Sequence, residues 1–345
     1  MKCGIYTQLP EQEYHDIDAL GSTDIKELAD EPNGGPVEWK YKHDHPEEDK
    51  DTAAKTLGSA IHARILEGRQ SFFDQYYLGL DTAAEIEAGA LSTVDSLKVW
   101  LKANGENVTG KKDELIKRAM SADPNVNILD NTIAAHAKAN EGKEKLSDNH
   151  WNKVMSAAEW CQMDSMLSKF MEDGTFHLGM SEVSIVAEHD GVPVKARYDH
   201  LANHAIIDLK SFQPFLNKDP ITAIPYAVKK MGYDLQAGHY LNMWYKAKEL
   251  WDAGQVFGDY PEGYFEKVFA RDHPMWIWLF VKTVGAPQPY VRGFSPDSTA
   301  LAYAKRNAEE AILFYRQKVE RYGLDKPWPP ENKAVELGDE ELLRY

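Results

Sequence analysis

Three residues near the middle of the chain have types and spacing that could act on a phosphodiester. Asp199 closes the alternating run Val192–Tyr198, and Asp208 and Lys210 close the short apolar run Ala205-Ile206-Ile207. The alternation predicts a half-buried strand and the apolar run a buried one, with a turn through Asn203 between them. If the two strands are adjacent and antiparallel, Asp199 and Asp208 come close at one end of a sheet. Side chains alternate along a strand, so Asp208 and Lys210 share a face. Paired carboxylates suit Mg²⁺ or Mn²⁺, which prefer oxygen ligands. Such an ion stabilises a phosphate and acidifies a bound water. A lysine beside it can orient the water, help deprotonate it, or stabilise charge in the transition state.

The same acid-x-Lys spacing recurs at Asp24-Ile25-Lys26, Glu38-Trp39-Lys40, Glu48-Asp49-Lys50 and Glu141-Gly142-Lys143. None of these follows a buried-looking strand that is itself preceded by a strand ending in Asp. Spacing alone therefore leaves both a metal centre and a chance recurrence open. His200 and His204 flank the aspartates, and a turn between strands accounts for both. No G-x-G-x-x-G, Walker A, H-E-x-x-H or G-x-S-x-G motif is present.

The elements that must position this trio can be read around it. Ser181–Glu188 alternates as a strand, and a turn at His189-Asp190 joins it to the next as a hairpin. Glu182, near its start, is either a third carboxylate for the site or a surface residue. Thr52–Glu67 is a helix with Ala54, Leu57, Ile61 and Ile65 on one face; its Gly58, Ala60 and Ala63 permit close packing on a sheet. His62 adjoins the apolar face, and such a histidine is more often a packed core residue than a ligand. Glu67 falls a turn or so further on, at the helix end. Residues 211–230, with three prolines and exposed aromatics, read as a loop that could cover the site. Tyr233–Lys246 is a helix on which Gln236 and Tyr240 share a face. Trp276–Val284 is the most apolar run and reads as a central strand. Pro296–Arg321 is a long amphipathic helix, followed by the Pro-rich stretch Pro327–Pro330 and an acidic tail to Tyr345 that reads as a docked or mobile extension. Residues 125–175 read as helical.

The totals set limits. At 345 residues there is room for one large domain or two ordinary ones. With 43% hydrophobic and 27% charged residues the chain is that of a soluble globular protein. No apolar run is long enough for a membrane span, and no signal peptide is apparent. Cys3 and Cys161 are the only cysteines, which fits a reducing cytoplasm and argues against a disulfide framework. A net charge of −16 argues mildly against nucleic acid, although a positive channel can coexist with an acidic exterior.

Residues 91–120 reverse the sign locally. Lys98, Lys102, Lys111, Lys112, Lys117 and Arg118 stand against Asp95, Glu106, Asp113 and Glu114. Thr93 caps a helix running through Ala103, Gly105 ends it, and a second helix starts at or near Asp113. Charge alone is compatible with a phosphate-contacting module and with a solvated helical hairpin. The run Gly110-Lys111-Lys112-Asp113-Glu114-Leu115-Ile116-Lys117-Arg118 resembles a SAP-type helix–loop–helix. That resemblance implies DNA binding, with Lys111 and Lys112 contacting the backbone.

The larger pattern resembles the PD-(D/E)xK nuclease superfamily and, within it, the RecE-type phage and prophage exonucleases. The matching residues are Leu57-Gly58-Ser59-Ala60-Ile61-His62, Arg197-x-Asp199, Asp208-Leu209-Lys210 and Gln236-x-x-x-Tyr240, with Tyr14-His15, Ser22 and Trp328-Pro329 also similar. The resemblance implies an α/β (α+β) fold with a restriction-endonuclease-like core: a mixed central sheet flanked by helices, carrying a small helical insert. The nuclease domain would comprise 1–84 and 131–345, and the SAP-like module 85–130. By position, Asp199 and Asp208 would ligate Mg²⁺ (or Mn²⁺), with the Leu209 carbonyl and His62 beside the metal. Lys210 would activate the water, Glu182 would complete the carboxylate set, and Gln236 and Tyr240 would position DNA or the site. The family degrades linear duplex DNA from 5′ ends, leaves 3′ single strands for a RecT-like annealing protein, and commonly forms ring-like oligomers. The SAP-like insert departs from the family core. A structure-specific or restriction-like endonuclease and a non-catalytic DNA-end-binding protein are the rival readings.

Overall fold

The computed structural model describes residues 1–46, 52–215, 218–295 and 297–330. The acidic tail after Pro330 and the Glu48-Asp49-Lys50 triplet lie outside the described residues. The chain divides into two compact units, one made of Met1–Glu67 with Ala157–Tyr345, the other of Gly68–Ser156.

A seven-stranded mixed sheet organises the first unit. In chain order its strands are β1 (Gly4–Tyr6), β2 (Met180–His189), β3 (Val192–Leu201), β4 (Ala205–Phe212), β5 (Val256–Phe257), β6 (Met275–Lys282) and β7 (Pro289–Phe294), arranged β7-β6-β4-β3-β2-β1-β5. The expected hairpin β2–β3 and the antiparallel neighbour β4 are present. β6 runs parallel to β4, which requires the long helical crossover between them. The parity of β6 explains its composition. Trp276, Trp278 and Phe280 face the main core, beneath the helix Tyr233–Asp252. Ile277 and Leu279 face the other side, where they line a cavity with Met166, Phe170 and Phe176.

The β3–β4 ladder is short, with His200 opposite Ile207 and Leu201 opposite Ile206. Two positions beyond Ile207, the Leu209 N–H goes to the Asp199 side chain instead of a backbone carbonyl, at 2.9 Å. The two strands therefore stop pairing at the aspartates, which places both carboxylates at a gap in the ladder.

Two helices close over this region, and a third backs one of them. Ala53–His62 is capped by Thr52, buries Leu57, Ala60 and Ile61, and continues into a π-helical turn, Ala63–Glu67. A side chain at Gly58 would start 3.0 Å from Ser211 Oγ, so glycine there lets the helix lie close to β4. Tyr233–Asp252 packs against the long helix Thr299–Tyr322. Trp328 is buried at 3% exposure and stacks on Trp39, so the Pro-rich stretch is docked where it is described.

Two sequence expectations change. The stretch 211–230 is not one long loop: β4 runs to Phe212 and Pro220–Lys230 is a helix. Asp219 caps that helix by accepting the N–H groups of Ile221 and Thr222, and Pro220 sits in the first turn, where its missing N–H costs nothing. Residues 125–175 are not helical throughout. They contain the helices Leu129–Ala139 and Asp148–Met163, and also short strands at Glu144–Leu146, Met171–Glu172 and Thr175–Phe176.

The second unit holds the helices Val94–Ala103 and Lys112–Ala122, which enclose a small core of Leu97, Leu101, Leu115, Ala119 and Ile128. Thr93 caps the first helix, as its sequence predicts. The 85–130 segment thus lies inside a compact unit that runs from Gly68 to Ser156. Lys111 is exposed, whereas Lys112 is half-buried and pairs with Asp130 at 2.6 Å. Among the described residues, no helix is long and apolar enough to cross a membrane.

Candidate active site

Asp208 is the most enclosed group of the site, with no exposed surface. Burying a carboxylate is costly unless it is paired, and here the pairing is extensive. Lys210 Nζ lies 2.9 Å from Oδ1 and 2.8 Å from Oδ2, two positions along the strand on the same face, as alternation requires. Gln236 donates its side-chain N–H to Oδ1 at 3.0 Å. Oδ2 has the ammonium nearby but no aligned hydrogen bond, so a buried carboxylate oxygen is left with an open lone pair.

Asp199 is fixed differently. Its Oδ2 accepts the Leu209 N–H and sits 3.5 Å from His62 Nε2. His62 Nε2 is also 3.5 Å from Glu182 Oε1, and Nδ1 is 3.5 Å from Glu67 Oε1. Glu182 lies at the β2 position opposite Asp199, where the ladder is interrupted, and its backbone takes a left-handed φ of 58°. For a side chain that long this is a strained conformation. Arg197 holds it from the other side: NH1 is 3.4 Å from Glu182 Oε2, Nε donates to Ser184 Oγ at 2.8 Å, and the guanidinium lies over the Tyr14 ring.

The electrostatics follow from this crowding. Burial, reinforced by the charge of Asp199, pushes Asp208 up to about 7 against the opposing pull of Lys210. Burial likewise pushes Glu182 up to about 7, with His62 opposing and Asp199 adding to it. Burial works against the His62 imidazolium, but Asp199, Glu67 and Glu182 outweigh it and hold its pKa well above the usual histidine value. Burial would raise Asp199, yet His62 and Lys210 bring it below the ordinary carboxylate range. Lys210 is held above the usual lysine value by Asp208 and Asp199, despite burial. At neutral pH Lys210 is thus an ammonium, able to donate a proton and to orient a water.

The donor set fits a hard divalent cation. Glu67, Glu182 and Asp199 converge on the His62 imidazole, and Asp208 presents a buried oxygen whose one partner is the Lys210 ammonium. His62, Glu67 and Glu182 alone offer ligand atoms that lie within 4.8 Å of one another. Tyr240 stands one turn beyond Gln236 and is buried against Tyr198 and Trp276; its hydroxyl bonds with Ser22. Burial pushes that hydroxyl to about 12, which makes Tyr240 a packing and hydrogen-bonding group rather than a proton carrier near neutrality.

Sequence reasoning left Glu67 without a role. At about 100° per residue, five residues along an α-helix place Glu67 roughly 140° around the axis from His62. The π-helical turn Ala63–Glu67 changes that phase and brings the two side chains together.

Residues 25–249 match the sequence profile of a family described as "PDDEXK-like domain of unknown function (DUF3799)", a span that includes His62, Glu182, Asp199, Asp208, Lys210, Gln236 and Tyr240. The chain belongs to this PDDEXK-like family. The seven-stranded mixed sheet flanked by helices agrees with that assignment. Among solved structures the chain is similar to a protein of Eubacterium rectale provisionally named an exonuclease, at 12% identity and a TM-score of 0.45, over 90% of this chain and 87% of the other. No curated protein matches the chain.

Proposed function

We propose that this PDDEXK-like chain is a metal-dependent exonuclease that degrades linear double-stranded DNA from 5′ ends. The 3′ single strands it leaves would serve a RecT-like annealing protein in recombination. The observation that carries the reading is the convergence of Asp199, Asp208 and Lys210 at the strand gap, with Asp208 Oδ2 held only by the Lys210 ammonium at 2.8 Å and with His62 and Glu182 beside Asp199. The RecE-type motifs support the polarity, and the second unit supports a DNA contact through the exposed Lys111. Lys112 is committed to Asp130 and contributes less. A ring-like homo-oligomer in the cytoplasm would let an acidic chain enclose DNA.

Asp199, Asp208, Glu182, His62 and the Leu209 carbonyl would hold Mg²⁺, or Mn²⁺. When bound, the ion supplies Lewis-acid stabilisation of the phosphate and lowers the pKa of a coordinated water. The chain's own groups do the rest. Lys210, as an ammonium, orients the water and offsets charge developing on the phosphoryl oxygens. Gln236 keeps Asp208 turned toward the gap. The Leu209 N–H and His62 fix Asp199, and Arg197 fixes Glu182.

Digestion of linear duplexes labelled at either the 5′ or the 3′ end, with a covalently closed circle as control, tests the reading. Early loss of the 5′ label with the circle intact supports it. Cleavage of the circle would make the protein an endonuclease, and early loss of the 3′ label would reverse the polarity.

A further inference from the structure

Glu67 is unused by the chemistry above, yet the chain departs from α-helical geometry where it brings Glu67 to His62. The imidazole lies between two sets of carboxylates: Nδ1 is 3.5 Å from Glu67, and Nε2 is 3.5 Å from both Glu182 and Asp199. The two ring nitrogens therefore face different partners. We infer that Glu67 is a positioning residue: its carboxylate holds the Nδ1–H of His62 so that the Nε2 lone pair points at the cation position beside Glu182 and Asp199.

This rests on the metal-centre reading and adds a residue to it. The 3.5 Å separation is at the long end of hydrogen-bond range. A ring nitrogen that binds a metal is set by what its partner nitrogen donates to, and carboxylates are frequent acceptors there. The π-turn is the device, because an uninterrupted α-helix would carry Glu67 away from the ring. Both side chains are about four-fifths buried, at 22% and 23% exposure, so the pair is shielded from competing water.

The test is Mn²⁺ affinity, measured by calorimetry on wild type, Glu67→Gln and Glu67→Ala, with the His62 ring tautomer read by nitrogen NMR. Glu67→Gln keeps an acceptor for the Nδ1–H and is nearly isosteric, so it guards against a folding artefact. The expected result is about 10- to 100-fold weaker Mn²⁺ binding in Glu67→Ala, and recovery to within a few-fold of wild type in Glu67→Gln. With diamagnetic Mg²⁺ in place of Mn²⁺ for the NMR, His62 should carry its proton on Nδ1 in the loaded wild type and in Glu67→Gln. Unchanged affinity in Glu67→Ala would overturn the inference. So would equal loss in both variants, which would make Glu67 a ligand in its own right. Failure of wild type to bind Mn²⁺ would overturn the metal-centre reading and this inference with it, a result distinct from the other two.

Discussion

Gln236 and Asp208 are joined by a buried hydrogen bond of 3.0 Å that ties the helix Tyr233–Asp252 to the end of β4. Among the described residues it is the side-chain hydrogen bond that reaches Asp208 from outside its own strand. Gln236→Ala leaves the Asp208–Lys210 pair in place and removes that restraint. The expected outcome is a folded protein with about 10- to 100-fold lower nuclease turnover, measured on linear duplex DNA. Turnover at wild-type level would assign Gln236 to packing alone.

Lys210 separates catalysis from metal binding. Its ammonium is a positive charge next to the carboxylates that would hold the cation. Lys210→Met should bind Mn²⁺ at least as tightly as wild type, because a like charge has gone. Its turnover should fall about 10²- to 10³-fold, the usual cost of losing one charge-stabilising donor. Calorimetry and digestion on the same preparation check both halves. Loss of metal binding would instead make Lys210 a structural partner of Asp208.

In the metal-free protein the contributions of Asp208, Glu182 and His62 to stability should shrink as pH rises. Asp208 and Glu182 are pushed up to about 7, and His62 is raised as well. Groups whose folded pKa lies above the unfolded one favour the fold fully at low pH and lose that contribution as pH rises through the folded value. Asp199 is lowered, so its contribution is lost only in acid, below the ordinary carboxylate range. Between pH 5 and 8 the three raised groups act together, and the buried His200 and His239, which burial lowers to about 4, act against them up to the ordinary histidine value. Mg²⁺ should therefore raise the thermal midpoint more at pH 8 than at pH 6. Relative to Asp208→Asn, the thermal midpoint of wild type should fall by several degrees over that window. A wild-type midpoint that keeps level with that of Asp208→Asn, or rises against it, over the same window would contradict the assignment.

Gly238 is a control on the scaffold. A Cβ there would lie 2.4 Å from the Ala304 backbone, where Tyr233–Asp252 crosses Thr299–Tyr322. Gly238→Val should destabilise the protein by about 1–3 kcal/mol through overpacking. Because Gln236 rides on the same helix, Mn²⁺ affinity should fall with it. A denaturation midpoint equal to wild type would show that the two helices have room to separate.

What the sequence made legible depends on regular geometry. Asp199, Asp208 and Lys210 could be placed because strands alternate with a fixed period, and Gln236 and Tyr240 because an α-helix repeats every four residues. Glu67 could not be placed, since a π-turn leaves no periodic signal. The left-handed backbone of Glu182 was equally invisible; its place opposite Asp199 follows from register, not from residue type. The helix Pro220–Lys230 was masked by prolines, although Asp219-Pro220 is itself a helix-start signature. The local core of Leu97, Leu101, Leu115 and Ala119 followed from helical spacing, but the extent of the unit around it depends on contacts distant in sequence.

The most direct test of the central claim is release of labelled nucleotides from a linear duplex in Mg²⁺ by wild type and by Asp208→Asn. The substitution keeps the shape of Asp208 and removes its charge. The account predicts Mg²⁺-dependent release by wild type and none above background by Asp208→Asn, with both proteins folded. Equal release by the two would place the chemistry somewhere other than at Asp199, Asp208 and Lys210.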